Sequence, residues 1–210
     1  MRRVYVKMTL ALVVTALTAM FATESPLFWS LISMKGVFIG LIIAQFGLVI
    51  ALTAALRKLS GFAATSMFFI YAVLTGLFLT PVFGIYTEAS VAKTFFITAG
   101  TFGAMSVYGY FTTRDLTTWG RMLTFALIGL VICSLVNIFT RSTAFDFMIS
   151  ALGVLVFIGL TAWDTQKIKQ WAAEAPGEAT SKLATIGALS LYLDFVNLFL
   201  YLLRFFGNRR

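Results

Sequence analysis

The stretch Leu183–Leu203, LATIGALSLYLDFVNLFLYLL, decides the fold and contains the residue that most needs explaining. It runs for 21 residues with Asp194 as its single charge. A hydrocarbon core about 30 Å thick needs roughly 20 apolar helical residues per crossing, so this run is long enough to span one. It shows no apolar and polar alternation of period two, which excludes a barrel strand. Counted from Leu183, Asp194 sits eleven residues in, roughly 16 Å deep at 1.5 Å per residue and near the bilayer midplane. A charged Asp at that depth costs about 2.5 to 3.5 kcal/mol, so it requires a partner, a proton or water.

Working outward, cutting the sequence at its charges yields six further apolar runs: Met8–Thr23, Gly36–Leu56, Leu59–Phe83, Thr94–Thr113, Met122–Thr140 and Phe147–Trp163. The expectation is an all-α membrane protein of seven transmembrane helices, one membrane domain over residues 1–210. Composition agrees. The 210 residues are 60% hydrophobic and 11% charged, with a mean hydropathy of +0.95. Soluble domains carry about a quarter charged residues, and 24 here cannot cover a single core with a polar surface. Disorder, a secreted disulfide scaffold and an ordinary cytosolic enzyme are thereby excluded. Cys133 is the lone cysteine and lies inside an apolar run, so no internal disulfide forms. The sequence has no histidine, which removes the usual metal ligand, general base and pH switch together. Any proton sensing must use carboxylates.

Sixteen Lys and Arg against eight Asp and Glu give a basic chain, yet nucleic acid is not the partner this implies. The cations sit in ones to threes between apolar runs, where orientation in a lipid bilayer requires them. With the N-terminus inside, the inner segments hold Arg2, Arg3, Lys7, Arg57, Lys58, Arg114, Arg121, Lys167, Lys169 and Lys182. The outer loops hold Lys35, Lys93 and Arg141, and a bias of ten to three places the N-terminus in the cytoplasm. Arg204, Arg209 and Arg210 fall outside if the last helix crosses fully, or inside if it is re-entrant. A signal peptide is disfavoured, since no clean A-x-A site follows the first run and Glu24-Ser25-Pro26 reads as a loop. The longest connection, Thr165–Lys182, is the most polar and contains the Pro176-Gly177 breaker.

Six acids, Glu24, Glu88, Asp115, Asp146, Glu174 and Glu178, lie in loops or at span edges. Asp194 instead shares a helical stripe with Ser190, Asn197, Tyr201 and Arg204, at spacings of four and three. The bland reading makes Ser190, Asn197 and Tyr201 interhelical hydrogen-bond glue, with a neutral Asp194 bonded to a carbonyl. Asp164 closes the sixth run, where a helix C-terminus offers a carboxylate nothing favourable. If the last two helices bring Asp164 and Asp194 together, the pair shares one proton and titrates in two separated macroscopic steps. The two carboxylates also form a weak oxygen site for calcium, which prefers six to eight oxygens in loose geometry. A weak site suits a conduction path, since the ion must also leave.

The run Gly187–Leu200 with Leu203-Arg204-Phe205-Phe206-Gly207 closely resembles the C-terminal signature of the Bax inhibitor-1 family. The resemblance continues in Leu74-Thr75-Gly76-Leu77 with Thr80-Pro81, in Thr94–Ser106, and in Trp163-Asp164-Thr165-Gln166. It covers most of the chain, thins in the first two runs and the loops, and looks like a bacterial member. It implies a central last helix wrapped by six others and a pH-sensitive calcium leak across the inner membrane. In the family, protonation of two hydrogen-bonded aspartates shifts a closed and open equilibrium, and Asp164 and Asp194 match those positions. A basic residue after the second helix serves as a latch to the first aspartate, and Arg57 or Lys58 is suitably placed. Bacterial relatives can carry a glutamate in the second helix, where Gln45 stands here. No bound cofactor is implied; calcium is the transported ion and protons the signal.

Two other functions compete. Some bacterial members resemble modulators of a membrane-anchored ATP-dependent protease, a role that would use the N-terminus or the Thr165–Lys182 segment. An intramembrane aspartyl protease also uses two membrane aspartates, but in Tyr-Asp and Gly-x-Gly-Asp contexts, whereas here they are Trp163-Asp164 and Leu193-Asp194. Serine intramembrane proteolysis needs a His or Lys base, and the seven runs contain neither. The expectation is therefore a channel or regulator and not an enzyme.

Overall fold

The computed structural model describes residues 1–55, 60–174 and 179–208. Among them the regular elements are all helices: α1 (Arg2–Glu24), α2 (Pro26–Ile32), α3 (Lys35–Ala55), α4 (Gly61–Ile85), α5 (Glu88–Phe111), α6 (Thr117–Thr140), α7 (Thr143–Glu174) and α8 (Ala179–Phe206). Each apolar run read from the sequence lies within or overlaps one long helix. The helices overrun the apolar runs at one or both ends.

Six helices, α1, α3, α4, α6, α7 and α8, are long and apolar enough to cross a membrane. α5 is as long, at 24 residues, but Thr94, Thr98, Thr101 and Ser106 dilute its apolar content. Seven crossings were expected and six helices have clear spanning character. Two other boundaries differ from expectation. α7 continues through Thr165–Glu174, read from the sequence as loop, because polarity alone does not end a helix and no Pro or Gly occurs before Pro176. The short α2 follows Ser25, whose Oγ accepts from the Phe28 amide at 3.3 Å, with Pro26 at the first helical position.

The chain divides into two compact units, Met1–Tyr86 with Glu174–Tyr192, and Thr87–Ala173 with Leu193–Arg209. The first half of α8 thus belongs to one unit and the second half to the other. In the first unit α4 packs on α1 and α3. α4 meets α1 closely at Gly76, where a Cβ would meet the Thr15 carbonyl oxygen at 2.6 Å, so only glycine fits without displacing α1. In the second unit α7 runs antiparallel to α8. Phe147 stacks on Phe205 at 4.7 Å, and ten residues further along α7 Phe157 stacks on Tyr201 at 5.8 Å, four residues back along α8. α3 and α6 are the least buried spanning helices, turning Ile43, Phe46, Phe125 and Phe139 outward, as lipid contact requires.

Candidate functional site

Register in the second unit places the two aspartates. Starting from the Phe157–Tyr201 stack, seven residues onward on α7 is Asp164 and seven residues back on α8 is Asp194. In an antiparallel pair both steps advance two helical turns in the same direction and return to nearly the same face. The electrostatics agree: Asp194 feels the charge of Asp164 and, with opposite sign, that of Lys167. Both carboxylates are buried, Asp164 at 7% exposure and Asp194 at 5%.

The two acids are not equivalent. Asp164 Oδ1 accepts a hydrogen bond from Lys167 Nζ at 2.6 Å. That ammonium also lies 4.2 Å from the Trp163 ring centre and 5.2 Å from that of Trp171, so the cation is held by two rings and a carboxylate. Asp194 Oδ2 has no hydrogen-bond partner, nor have Ser106 Oγ on α5 and Thr165 Oγ1 on α7. All three residues are more than nine-tenths buried. Buried polar atoms ordinarily find a partner, so each of the three calls for a physical reason.

Other residues expected to matter fall elsewhere. Arg57 and Lys58 lie outside the described residues; the cation on Asp164 is Lys167, whose i, i+3 spacing was the available signal. Asn197 Nδ2 donates to Leu193 O within its own helix at 2.8 Å, so that bond is not interhelical glue. Tyr201 packs its ring over Gly153, where any Cβ would meet it at 2.5 Å. Ser190 is half-buried in the stretch of α8 that belongs to the first unit. Gln45 donates from Nε2 to Thr75 Oγ1 at 3.0 Å. Among the described residues no three acids or thiols gather as a metal cluster, so a cation here would need oxygens of other kinds.

Sequence reasoning missed a second polar cluster. Tyr192 OH and Thr15 Oγ1 are 2.6 Å apart, and Thr15 Oγ1 also donates to Ala72 O at 2.9 Å. Thr75 Oγ1 donates to Tyr71 O at 2.9 Å, and Tyr192 lies edge-on to Phe68 and Tyr71. Threonine and tyrosine give no signal in a hydropathy reading, because each looks like ordinary packing until its hydroxyl is placed.

Several long apolar helices with two acids buried among them define the class: a helical membrane protein with an internal ionisable site. A family model described as inhibitor of apoptosis-promoting Bax1 matches residues 1–210. The chain is 51% identical over 214 residues to inner membrane protein YbhL of Escherichia coli, covering 100% of this chain and 92% of that protein. A protein of Borreliella burgdorferi is 46% identical over 211 residues, with 99% and 91% covered, and one of Rickettsia prowazekii is 43% identical over 211 residues, with 100% and 89% covered. The chain belongs to the Bax inhibitor-1 family.

Proposed function

We propose that the protein is a pH-sensitive calcium leak of the inner membrane, its closed and open populations set by a proton shared between Asp164 and Asp194. The observation that carries this is Asp194, a carboxylate 5% exposed, with one oxygen unpartnered and a second buried carboxylate acting on it. Two acids so placed cannot both ionise cheaply, and an intramembrane acid without a partner is a functional site by default. Lys167 supplies a countercharge to Asp164, so a change in the proton count at Asp194 alters the net charge of the group. A coupling of about 1.4 kcal/mol already changes a population ratio tenfold, which is ample for gating.

The reading includes seven crossings with α5 as the seventh, α8 as the central helix, and a cytoplasmic N-terminus. A central α8 is favoured by its burial, 67% of its spanning window against 39% or less for the others. Gly100 and Gly103 give α5 room without crowding a neighbour, which suits a mobile, moderately polar crossing. The protein is a conduit and not an enzyme, its partners being the bilayer, calcium and protons. The inner-membrane location follows the named Escherichia coli relative.

The test is calcium flux against pH in proteoliposomes for wild type and Asp194→Asn. The variant should retain the fold and lose the pH dependence. An unchanged profile sinks the leak reading and transfers the argument to a modulator of a membrane-anchored protease, which would act through its cytoplasmic segments.

A further inference from the structure

The first unit gathers positive charge at the end where α1, α4 and α8 begin. Lys7 Nζ donates to Thr65 Oγ1 on α4 at 2.8 Å and to Thr185 Oγ1 on α8 at 2.7 Å, and the two hydroxyl oxygens are 3.2 Å apart. The ammonium is part-buried and both partners are neutral, so they satisfy two of its three protons but not its charge. Lys182 lies three residues before Thr185 on the same face of α8 and adds to the same field.

Arg2 and Arg3 stand little more than one turn before Lys7 on α1; both are exposed, and the like charge of Arg3 acts on Lys7. With Val6 and Lys7 they wall a cavity of about 350 Å³. Among the described residues none of these four cations has an ion pair: the two that form, Lys167 with Asp164 and Arg204 with Asp146, belong to the other unit. Glu24 is at the opposite end of α1, about 26 Å from Lys7 at 1.5 Å per residue. Like charges gathered without a counterion repel one another, and a bound anion relieves that repulsion.

From the cavity an apolar stripe runs down α1. Val6, Leu10, Val13 and Leu17, each about half exposed, recur at spacings of four, three and four, and Arg2 and Arg3 flank the end nearest the cavity. A free phosphate would use the cations alone, whereas the phosphate of a lipid uses the cations and the stripe together.

We propose that the cavity at Arg2, Arg3 and Lys7 binds the phosphate of an anionic phospholipid, with an acyl chain lying along Val6, Leu10, Val13 and Leu17. This goes beyond the leak reading and does not depend on it. The two guanidinium groups offer forked donors to the phosphate oxygens, and Lys7 offers the remaining proton of an ammonium already fixed between α4 and α8. A zwitterionic lipid carries its own cation and gains less from the same field.

The experiment is native mass spectrometry of the full chain released from detergent, titrated with phosphatidylglycerol, phosphatidylcholine or inorganic phosphate. Wild type should retain phosphatidylglycerol about tenfold more tightly than phosphatidylcholine, and inorganic phosphate should not displace it. Arg2→Gln with Arg3→Gln should weaken phosphatidylglycerol binding about twentyfold at an unchanged thermal transition. Arg114→Gln with Arg121→Gln, which removes the same charge from the other unit, should bind as wild type. Should the first pair fail to fold, Lys182→Gln decides, with a loss of about fivefold. Equal retention of the two lipids, or wild-type affinity in the variants at Arg2 and Arg3 or at Lys182, overturns the proposal. Displacement by inorganic phosphate overturns the lipid assignment in favour of a free anion.

Discussion

The two units contain polar clusters of opposite character. In the first, Thr15, Tyr192, Thr75 and Gln45 bond to one another or to carbonyls, and the cluster locks α1, α3, α4 and the first half of α8 together. In the second, Asp194, Ser106 and Thr165 each leave an atom unpaired. Satisfied polar groups in lipid hold helices together, whereas an ionisable group buried there without a partner is costly and marks a functional site by default. The contrast supports a structural part for the first set and, as proposed, the chemistry for the second, along one helix that serves both.

The largest expected effect tests whether the second cluster depends on close helix approach. Gly109→Leu should drive α5 from α7 and cost about 3 kcal/mol, read as loss of the thermal transition in detergent. The mirror substitutions should then differ in sign. Asp194→Leu removes an unsatisfied buried carboxylate and should stabilise the protein by about 2 kcal/mol while abolishing pH-dependent flux. Tyr192→Phe should destabilise by about 1 kcal/mol and leave the pH profile unchanged. Equal signs in the two melts would erase the distinction between the clusters.

The smallest effect belongs to an acid in water. Asp115, between α5 and α6, accepts from the Thr117 amide at 2.8 Å, and bonds from the Thr117 side chain and backbone hold its carboxyl below the usual range. A lowered folded value means the contribution is present above the unfolded pKa and fades as pH falls through the folded one. Amide exchange at the start of α6 should therefore quicken only in acid, and Asp115→Asn should flatten that response. A response at neutral pH would contradict this assignment.

Much of this was readable early. The apolar runs each became a long helix because in lipid the backbone must bond to itself, so hydropathy alone constrains the element type. Asp194 was conspicuous for the same reason. Lys167 is legible only as a spacing; Ser106, Thr165 and Tyr192 stand in the motifs that carry the resemblance without showing what their hydroxyls do, and Thr15 gives no signal, since a hydroxyl in a helix has its own carbonyl as an alternative partner. The extension of α7 to Glu174 was hidden by its charges, which mark where water begins and not where a helix ends.

Local composition, acting through the cost of exposing peptide groups to hydrocarbon, was enough to specify helices, their approximate limits and one acid out of place. Which hydroxyls stay unbonded, and which cation sits on Asp164, depended on how helices far apart in the chain come into register. Those contacts are set by side-chain volume at glycine crossings such as Gly109 and Gly153, a property of pairs of helices that no single stretch of sequence contains.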